Sequence, residues 1–249
     1  MCIRDRDTRH SRRLFQQFAI DTPCFAYHEF SDRGAQERVL TRLAQGEAVA
    51  LVSDAGTPLI SDPGFRLVRD VQEAGFRVFP VPGACAAIAA LCISGLPTDR
   101  FVFEGFLSAK AGARAARLLE LAAEASTTIF YEAPHRIVDS LQAMVEAFGG
   151  DREAVLAREI TKAYETVRRA PLAELAGFVA ADSNQQRGEI VLVVAGKPAG
   201  QPELDARLAG LLQRLAQEMP GKRAAAIVAE FSGLKKNQLY DYLLAQRSD

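Results

Sequence analysis

Ser53-Asp54-Ala55-Gly56-Thr57-Pro58-Leu59-Ile60-Ser61-Asp62-Pro63-Gly64 reads as a stiff loop that leaves a buried strand and turns into a helix. The strand is residues 48–53 (AVALVS), a short apolar run with β-branched members. In open α/β sheets ligands bind beyond the carboxyl ends of strands, which is where this loop lies. Its glycine lets a backbone approach a ligand closely and its prolines hold the path rigid. Asp54 and Thr57 lie nearest the strand end. Asp62 is placed to cap the next helix, with Pro63 at the first helical position, a structural role. Asp54 with Asp62 also admits a magnesium site and phosphohydrolase chemistry, a reading that the capping role of Asp62 counts against.

Outward from this loop the chain alternates. Residues 63–74 carry Phe65, Leu67, Val68 and Val71 at helical spacing, residues 75–81 (GFRVFPV) read as a second strand, and Pro82-Gly83 breaks the chain before an Ala-rich helix over 84–94. This order predicts α/β layering with a largely parallel sheet. A second block follows Gly95-Leu96-Pro97. Strands are expected at 101–107, 127–131, 154–158 and 189–195, with helices at 114–125, 136–148 and 172–181. The fold class expected is α/β: two α/β domains, 1–96 and 97–198, hinged near 95–100 around a cleft. Beyond a Gly/Pro linker, a helical appendage over 203–247 has its last two helices joined by Ser232-Gly233-Leu234, the tight turn of a helix-turn-helix pair. At the start, residues 8–18 read as a helix, and residues 1–6 (MCIRDR) show no strand pattern ahead of it.

The chain carries 30 basic and 31 acidic residues, a formal net charge of −1. That balance excludes nucleic-acid binding by bulk charge, so RNA would be met by a local patch or as a preassembled particle. Lys222, Arg223, Lys235 and Lys236 surround the helix-turn-helix corner, either as solvated surface or as phosphate contacts. No run reaches the roughly 18 apolar residues of a membrane helix, and no signal-peptide layout opens the chain. A soluble, cytoplasmic protein with no membrane partner is expected. Cys2, Cys24, Cys85 and Cys92 form no ligand pair; Cys85 and Cys92 read as small core residues on one helix face. The three histidines lack metal-ligand spacing, and no metal is expected.

Neither a P-loop nor a dinucleotide-binding glycine fingerprint is present. A cofactor at residues 53–64 would be gripped by backbone and small side chains, which suits an adenosyl group without phosphates. The turn Val81-Pro82-Gly83-Ala84-Cys85 offers small residues for helix packing or for ligand contact. In Phe130-Tyr131-Glu132-Ala133-Pro134-His135-Arg136 a strand ends in crowded polar groups, a pattern of function or of caps and salt bridges. Leu156-Ala157-Arg158-Glu159-Ile160-Thr161-Lys162 does the same, with Arg158 and Glu159 free to pair with each other. Gly188-Glu189-Ile190-Val191 enters an apolar strand in which Glu189 is the site candidate.

Taken together, DTRH (7–10), SDAGTPLISDPG (53–64), VPGACAAIAAL (81–91), GLPTDRFVFEGFL (95–107), FYEAPHR (130–136), AREITK (157–162) and GEIVLVV (188–194) resemble, in order, one family. It is the tetrapyrrole-methylase family, in its branch of 16S ribosomal RNA cytidine 2′-O-methyltransferases. The resemblance implies a homodimer with S-adenosylmethionine in the interdomain cleft, lying against Asp54, Gly56, Thr57, Pro82, Gly83, Tyr131, Glu132, Glu189 and Ile190. It implies as substrate the 16S rRNA of the 30S subunit, docked with help from the C-terminal helices. Candidates for the base that takes the hydroxyl proton are Glu104, Glu132, His135 and Lys162. Family members place a strand and a Pro-Ile-Gly-Asn-type loop ahead of the DTRH helix, so the first strand of the cofactor-binding sheet is expected to be missing here. The alternatives are methylation of a tetrapyrrole ring carbon, or a chain that binds RNA without cofactor.

Overall fold

The computed structural model describes residues 2–5, 8–27, 33–198, 204 and 206–246. Met1, Arg6 and Asp7, the last of which opens the DTRH motif, lie outside them. Two compact units result, Met1–Gly196 and Lys197–Asp249.

The first unit holds two sheets. The smaller is parallel, in the order β2-β1-β3, from β1 (Cys2–Asp5), β2 (Cys24–Tyr27) and β3 (Ala50–Val52). The strand expected to be missing before the first helix is therefore corrected: Cys2–Asp5 is the central strand of this sheet. A central strand takes ladder hydrogen bonds from both neighbours, here with Cys2 opposite both Cys24 and Ala50, so four residues hold without apolar alternation of their own. Helices α1 (Thr8–Gln17), α2 (Arg33–Ala44) and α3 (Phe65–Glu73) accompany it. Tyr27, Val39, Leu67 and Val71 form its small core.

A second correction concerns residues 75–81, which form no strand. Phe79 is 69% exposed and Val81 90%. Pro80 inside the run and Pro82 directly after it carry no N–H, so neither has anything to donate to a ladder.

Next comes α4 (Ala86–Ser94), then the larger sheet of β4 (Phe101–Phe106), β5 (Thr127–Glu132), β6 (Glu153–Arg158), β7 (Thr166–Pro171) and β8 (Ile190–Val194), in the order β4-β5-β8-β6-β7. Only its β4–β5 pair is parallel and the other three are antiparallel, so the largely parallel pairing expected of the first block holds for the smaller sheet and not for this one. β7 was not expected at all. Its sequence, TVRRAP, is that of an edge strand with charged, exposed residues, so it lacks an apolar signature.

The larger sheet is buried on both faces with period two. Phe130, Leu156, Leu192 and Val194 face α5 (Ala111–Leu121), α6 (Ile137–Phe148) and α7 (Leu172–Ala181). Ile129, Val155, Ala157, Val191 and Val193 face the other way, toward α4 with its Ala87, Ala90 and Leu91. Thus α4, which precedes residue 96, covers the sheet that follows it. Cys85 sits at the α4 N-cap and Cys92 is exposed, so the two do not share a core face as expected.

The second unit packs α8 (Ala206–Glu218), α9 (Gly221–Ser232) and α10 (Lys236–Ala245) around Leu212, Ala224, Ala225, Val228, Leu234, Leu239 and Leu243. Gly233 closes α9 in the left-handed region, φ 71°, its N–H bonded to Ala229 O. The Ser232 hydroxyl donates to Val228 O at 2.6 Å and accepts the Leu234 N–H at 3.2 Å. The corner is thus fixed by its own backbone and one hydroxyl.

Candidate active site

Strand direction decides which residues meet. β4 and β5 run together, β8 runs against β5, and β6 against β8. One rim of the larger sheet therefore gathers the carboxyl ends of β4, β5 and β6 and the amino end of β8. Ile190 lies in register with Glu132 on one side and Arg158 on the other, and Phe106 pairs Tyr131. Three motifs far apart in sequence thus arrive at one edge.

The loop after β3 reaches the same region. Thr57 Oγ1 donates to Ala84 O at 3.0 Å, and Ser53 Oγ lies 3.0 Å from both Ala55 O and Gly56 O. Gly105 lets the loop approach β4: its φ is +73°, and a Cβ there would come within 2.9 Å of Ser61 Oγ. The register shift between Phe103 and Gly105 marks the same place. Neither Gly105 nor Ser61 was singled out from sequence, although a glycine inside a strand pattern is the usual sign of a bulge or a close approach.

Tyr131 joins these pieces. Its hydroxyl accepts the Ala87 N–H at 3.2 Å at the start of α4, and its ring meets Phe103 and Phe106 edge-on, at 5.0 and 5.6 Å. Burial pushes the hydroxyl up to about 12, with the nearby Cys85 and Asp62 adding to the shift. Asp62 is not the expected helix cap: Gly64 is the N-cap of α3, with no side-chain cap bond, and its φ is +135°. Asp54, Gly56, Pro82 and Gly83 are exposed along the two loops that Thr57 ties together. The result is a lining of small residues, aromatic edges and two carboxylates.

Around the rim, Glu132 is buried and bound on three sides. Ser140 Oγ donates to it at 2.6 Å, the Ala133 N–H at 2.8 Å, and Arg136 Nε lies 3.3 Å away. Glu104 is gripped by Arg117 of α5 through two bonds of 2.7 and 2.8 Å. Lys162 Nζ binds Glu159 at 2.8 Å and Glu189 at 3.0 Å. Its ammonium is held above the usual lysine value, first by the Glu159 bond, and the Glu159 carboxyl is held below the usual range by that bond and the Glu189 N–H. His135 is exposed in the single 3-10 turn Pro134–Arg136.

Arg158 does not pair with Glu159, as its sequence position allowed. It is buried and donates to Gln185 Oε1 at 3.2 Å, Tyr164 O at 2.9 Å, Thr166 Oγ1 at 3.1 Å and Arg187 O at 3.4 Å, tying two loops to the rim. Glu159 instead accepts the Glu189 N–H at 2.8 Å while its own N–H reaches Glu189 O at 2.9 Å. Gly188, φ +80°, leaves the space that the Glu159 carboxyl fills. So Asp54, Gly56, Thr57, Pro82, Gly83 and Tyr131 form one cluster, and Glu132, Lys162, Glu189 and Ile190 a second beside it. Among the described residues no group of His, Cys, Asp or Glu is placed to hold a metal.

Comparison with known proteins follows the same lines. The profile of the Tetrapyrrole (Corrin/Porphyrin) Methylases matches residues 3–176, and that of the RsmI C-terminal HTH domain matches residues 202–247. A Pseudomonas aeruginosa protein named Ribosomal RNA small subunit methyltransferase I is 56% identical over 243 residues, covering 97% of this chain and 86% of that one. Its namesake from Escherichia coli O157:H7 is 49% identical over 245 residues, covering 98% and 86%. Among solved structures, a cobalt precorrin-4 methyltransferase of cobalamin biosynthesis superposes with a TM-score of 0.53 at 15% identity, covering 78% of this chain and 83% of that one. The uroporphyrin-III C-methyltransferase of Thermus thermophilus gives 0.52 at 17%, covering 78% and 81%. These two similarities are of fold alone.

Proposed function

Because the chain belongs to the tetrapyrrole methylase family, we propose that it transfers a methyl group from S-adenosylmethionine to the ribose 2′-hydroxyl of a cytidine in 16S ribosomal RNA. The observation that carries the reading is a pair of bonds at the start of α4: Tyr131 accepts the Ala87 N–H from the end of β5, and Thr57 donates to Ala84 O from the loop after β3, so that the three segments form one wall. The RNA substrate follows from the names of relatives that match nearly the whole chain.

The lining fits the cofactor. Phe103, Phe106 and Tyr131 present aromatic edges suited to an adenine, and Asp54 and Asp62 are carboxylates suited to a ribose diol or a cationic sulfur. Asp54, Gly56, Thr57, Pro82, Gly83 and Tyr131 would hold it, together with Glu189 and the backbone of Ile190, whose side chain is buried. When bound, it supplies a methyl group already on a good leaving group, the sulfonium. What remains to the protein is alignment and one proton. Glu104 is held by Arg117, Glu132 is buried among donors, and Lys162 is kept charged by two carboxylates. His135, exposed on the same rim, takes the hydroxyl proton in this reading. Glu132 acts as a positioning residue, holding Arg136 and the start of α6.

The acceptor is 16S rRNA assembled in the 30S subunit, which suits a chain of net charge −1 that carries a local basic group, Lys222, Arg223, Lys235 and Lys236, at the helix-turn-helix corner. The working form is a cytoplasmic homodimer; no described helix is long and apolar enough to cross a membrane.

The test is transfer of a labelled methyl group to purified 30S particles, followed by nuclease digestion to locate a 2′-O-methylated cytidine. Transfer to uroporphyrinogen and not to 30S would replace this reading with the tetrapyrrole one. Calorimetric titration that finds no S-adenosylmethionine binding would end both.

A further inference from the structure

Within the second unit, Phe231 is 84% exposed at the penultimate position of α9. It shares a helix face with Arg223 and Ile227, at i−8 and i−4. Past the Gly233 turn, Lys235, Lys236, Asn237 and Gln238 are all exposed at the start of α10. The one carboxylate on α9, Glu230, stands next to Phe231 in sequence and is also exposed. Lys222 lies over the Tyr240 ring at 5.8 Å and so is partly engaged.

An aromatic ring this open, at a helix end followed across the turn by two exposed lysines and two exposed amides, does not resemble the heart of a protein interface, where charged residues are depleted around buried rings. It does resemble the platforms that bind nucleic acid strands, where a ring stacks on a base and flanking cations take phosphates. In a duplex both faces of every internal base are already stacked, so a surface ring has nothing to lie against. We propose that the α9–α10 corner contacts single-stranded RNA: Phe231 stacks on an unpaired base, Lys235 and Lys236 take the flanking phosphates, and Asn237 and Gln238 reach base edges. The proposal rests on the RNA reading above and narrows it to an acceptor region presented as a loop or open strand.

The test uses the full chain and a labelled, unstructured oligouridine of about a dozen nucleotides, within the span such platforms cover, beside a duplex RNA of equal length. Phe231→Leu is expected to weaken binding to the single strand about tenfold, the usual size of one stacking contact. Phe231→Tyr should restore it, and duplex affinity should not change. Lys235→Gln with Lys236→Gln should lower the slope of log affinity against log salt by about 1.4, or 0.7 per phosphate contact. Because Phe231 is exposed, the Phe231→Leu protein should melt with the parent. No single-strand binding by the parent chain, parent-like affinity in Phe231→Leu, or an equal loss on duplex would each overturn the proposal. Methyl transfer to 30S, measured alongside, separates the two readings. Transfer with an inert Phe231→Leu change leaves the methylation reading standing alone. Ring-dependent binding without transfer leaves this one.

Discussion

Replacing Gly188 by alanine tests how the rim is built. At φ +80° an L-residue is strained, at about 1–2 kcal/mol. The new Cβ would also overlap the Glu159 carboxyl, which must swing out and give up its 2.8 Å bonds to the Glu189 N–H and to Lys162. These are charged bonds near solvent, so their loss adds roughly 1 kcal/mol after discounting for screening. The sum is about 2–3 kcal/mol, or a melting temperature lower by roughly 5–10 °C for a unit of this size. Urea denaturation followed by circular dichroism measures it. The Ile190 end of β8 would shift with Glu189, so calorimetry should also show weaker S-adenosylmethionine binding. The decisive comparison is the double change with Glu159→Ala, which removes the carboxyl that alanine would strike. It should be no less stable than Gly188→Ala alone, since both lose the same bonds. A cost under about 0.5 kcal/mol for Gly188→Ala, or single costs that simply add, would refute the reasoning.

Three further outcomes are expected. Tyr131→Phe should abolish an absorbance step near pH 12, and stability that the parent loses as pH climbs from 10 toward 12 should no longer be lost there; a step that persists would mean another tyrosine is the buried one. Glu132→Gln should cost about 2–3 kcal/mol in urea denaturation, because Arg136 faces the buried carboxylate; a stable protein with no transfer activity would instead make Glu132 the base. Glu159 is held below its ordinary 4.5 and Lys162 above its ordinary 10.5, so their pair stabilises the fold between those values. That share fades as pH falls through the lowered Glu159 value, and again as pH rises past the raised Lys162 value. Accordingly the gap in urea midpoint between the parent and Glu159→Gln should be open at neutral pH and close toward acid; a gap constant with pH would count against the pair.

The second half of the first unit was legible because its strands β5, β6 and β8 are largely apolar runs, the first two ending in clustered charge and the last opening from Glu189. The same clusters pointed to the rim. What stayed hidden follows from physics that single residues do not display. β1 holds through two partners and not through its own pattern, and β7 is an edge whose arginines look like a loop. The run at 75–81 has the composition of a strand, yet Pro80 within it and Pro82 just beyond it supply no N–H donor. Side-chain partners were the least readable. Whether Arg158 pairs with the residue beside it, or reaches Gln185 and Tyr164, depends on loops brought in from elsewhere in the chain. The glycine at 105 carried a usable signal, and its partner Ser61 carried none.

The placement of α4 has a consequence for cooperativity. Its underside covers Ile129, Val155, Val191 and Val193, each worth roughly 1.5–3 kcal/mol when withdrawn from water. Uncovering all four would forfeit about 6–12 kcal/mol, as much as a whole domain's net stability. A chain severed between α4 and β4 would therefore yield a carboxyl-terminal piece unable to stand by itself. Heated intact, residues 1–196 should melt in one transition and not two, because the larger sheet depends on α4, whose start is tied by Thr57 and Ala84 to the loop that leaves the smaller sheet.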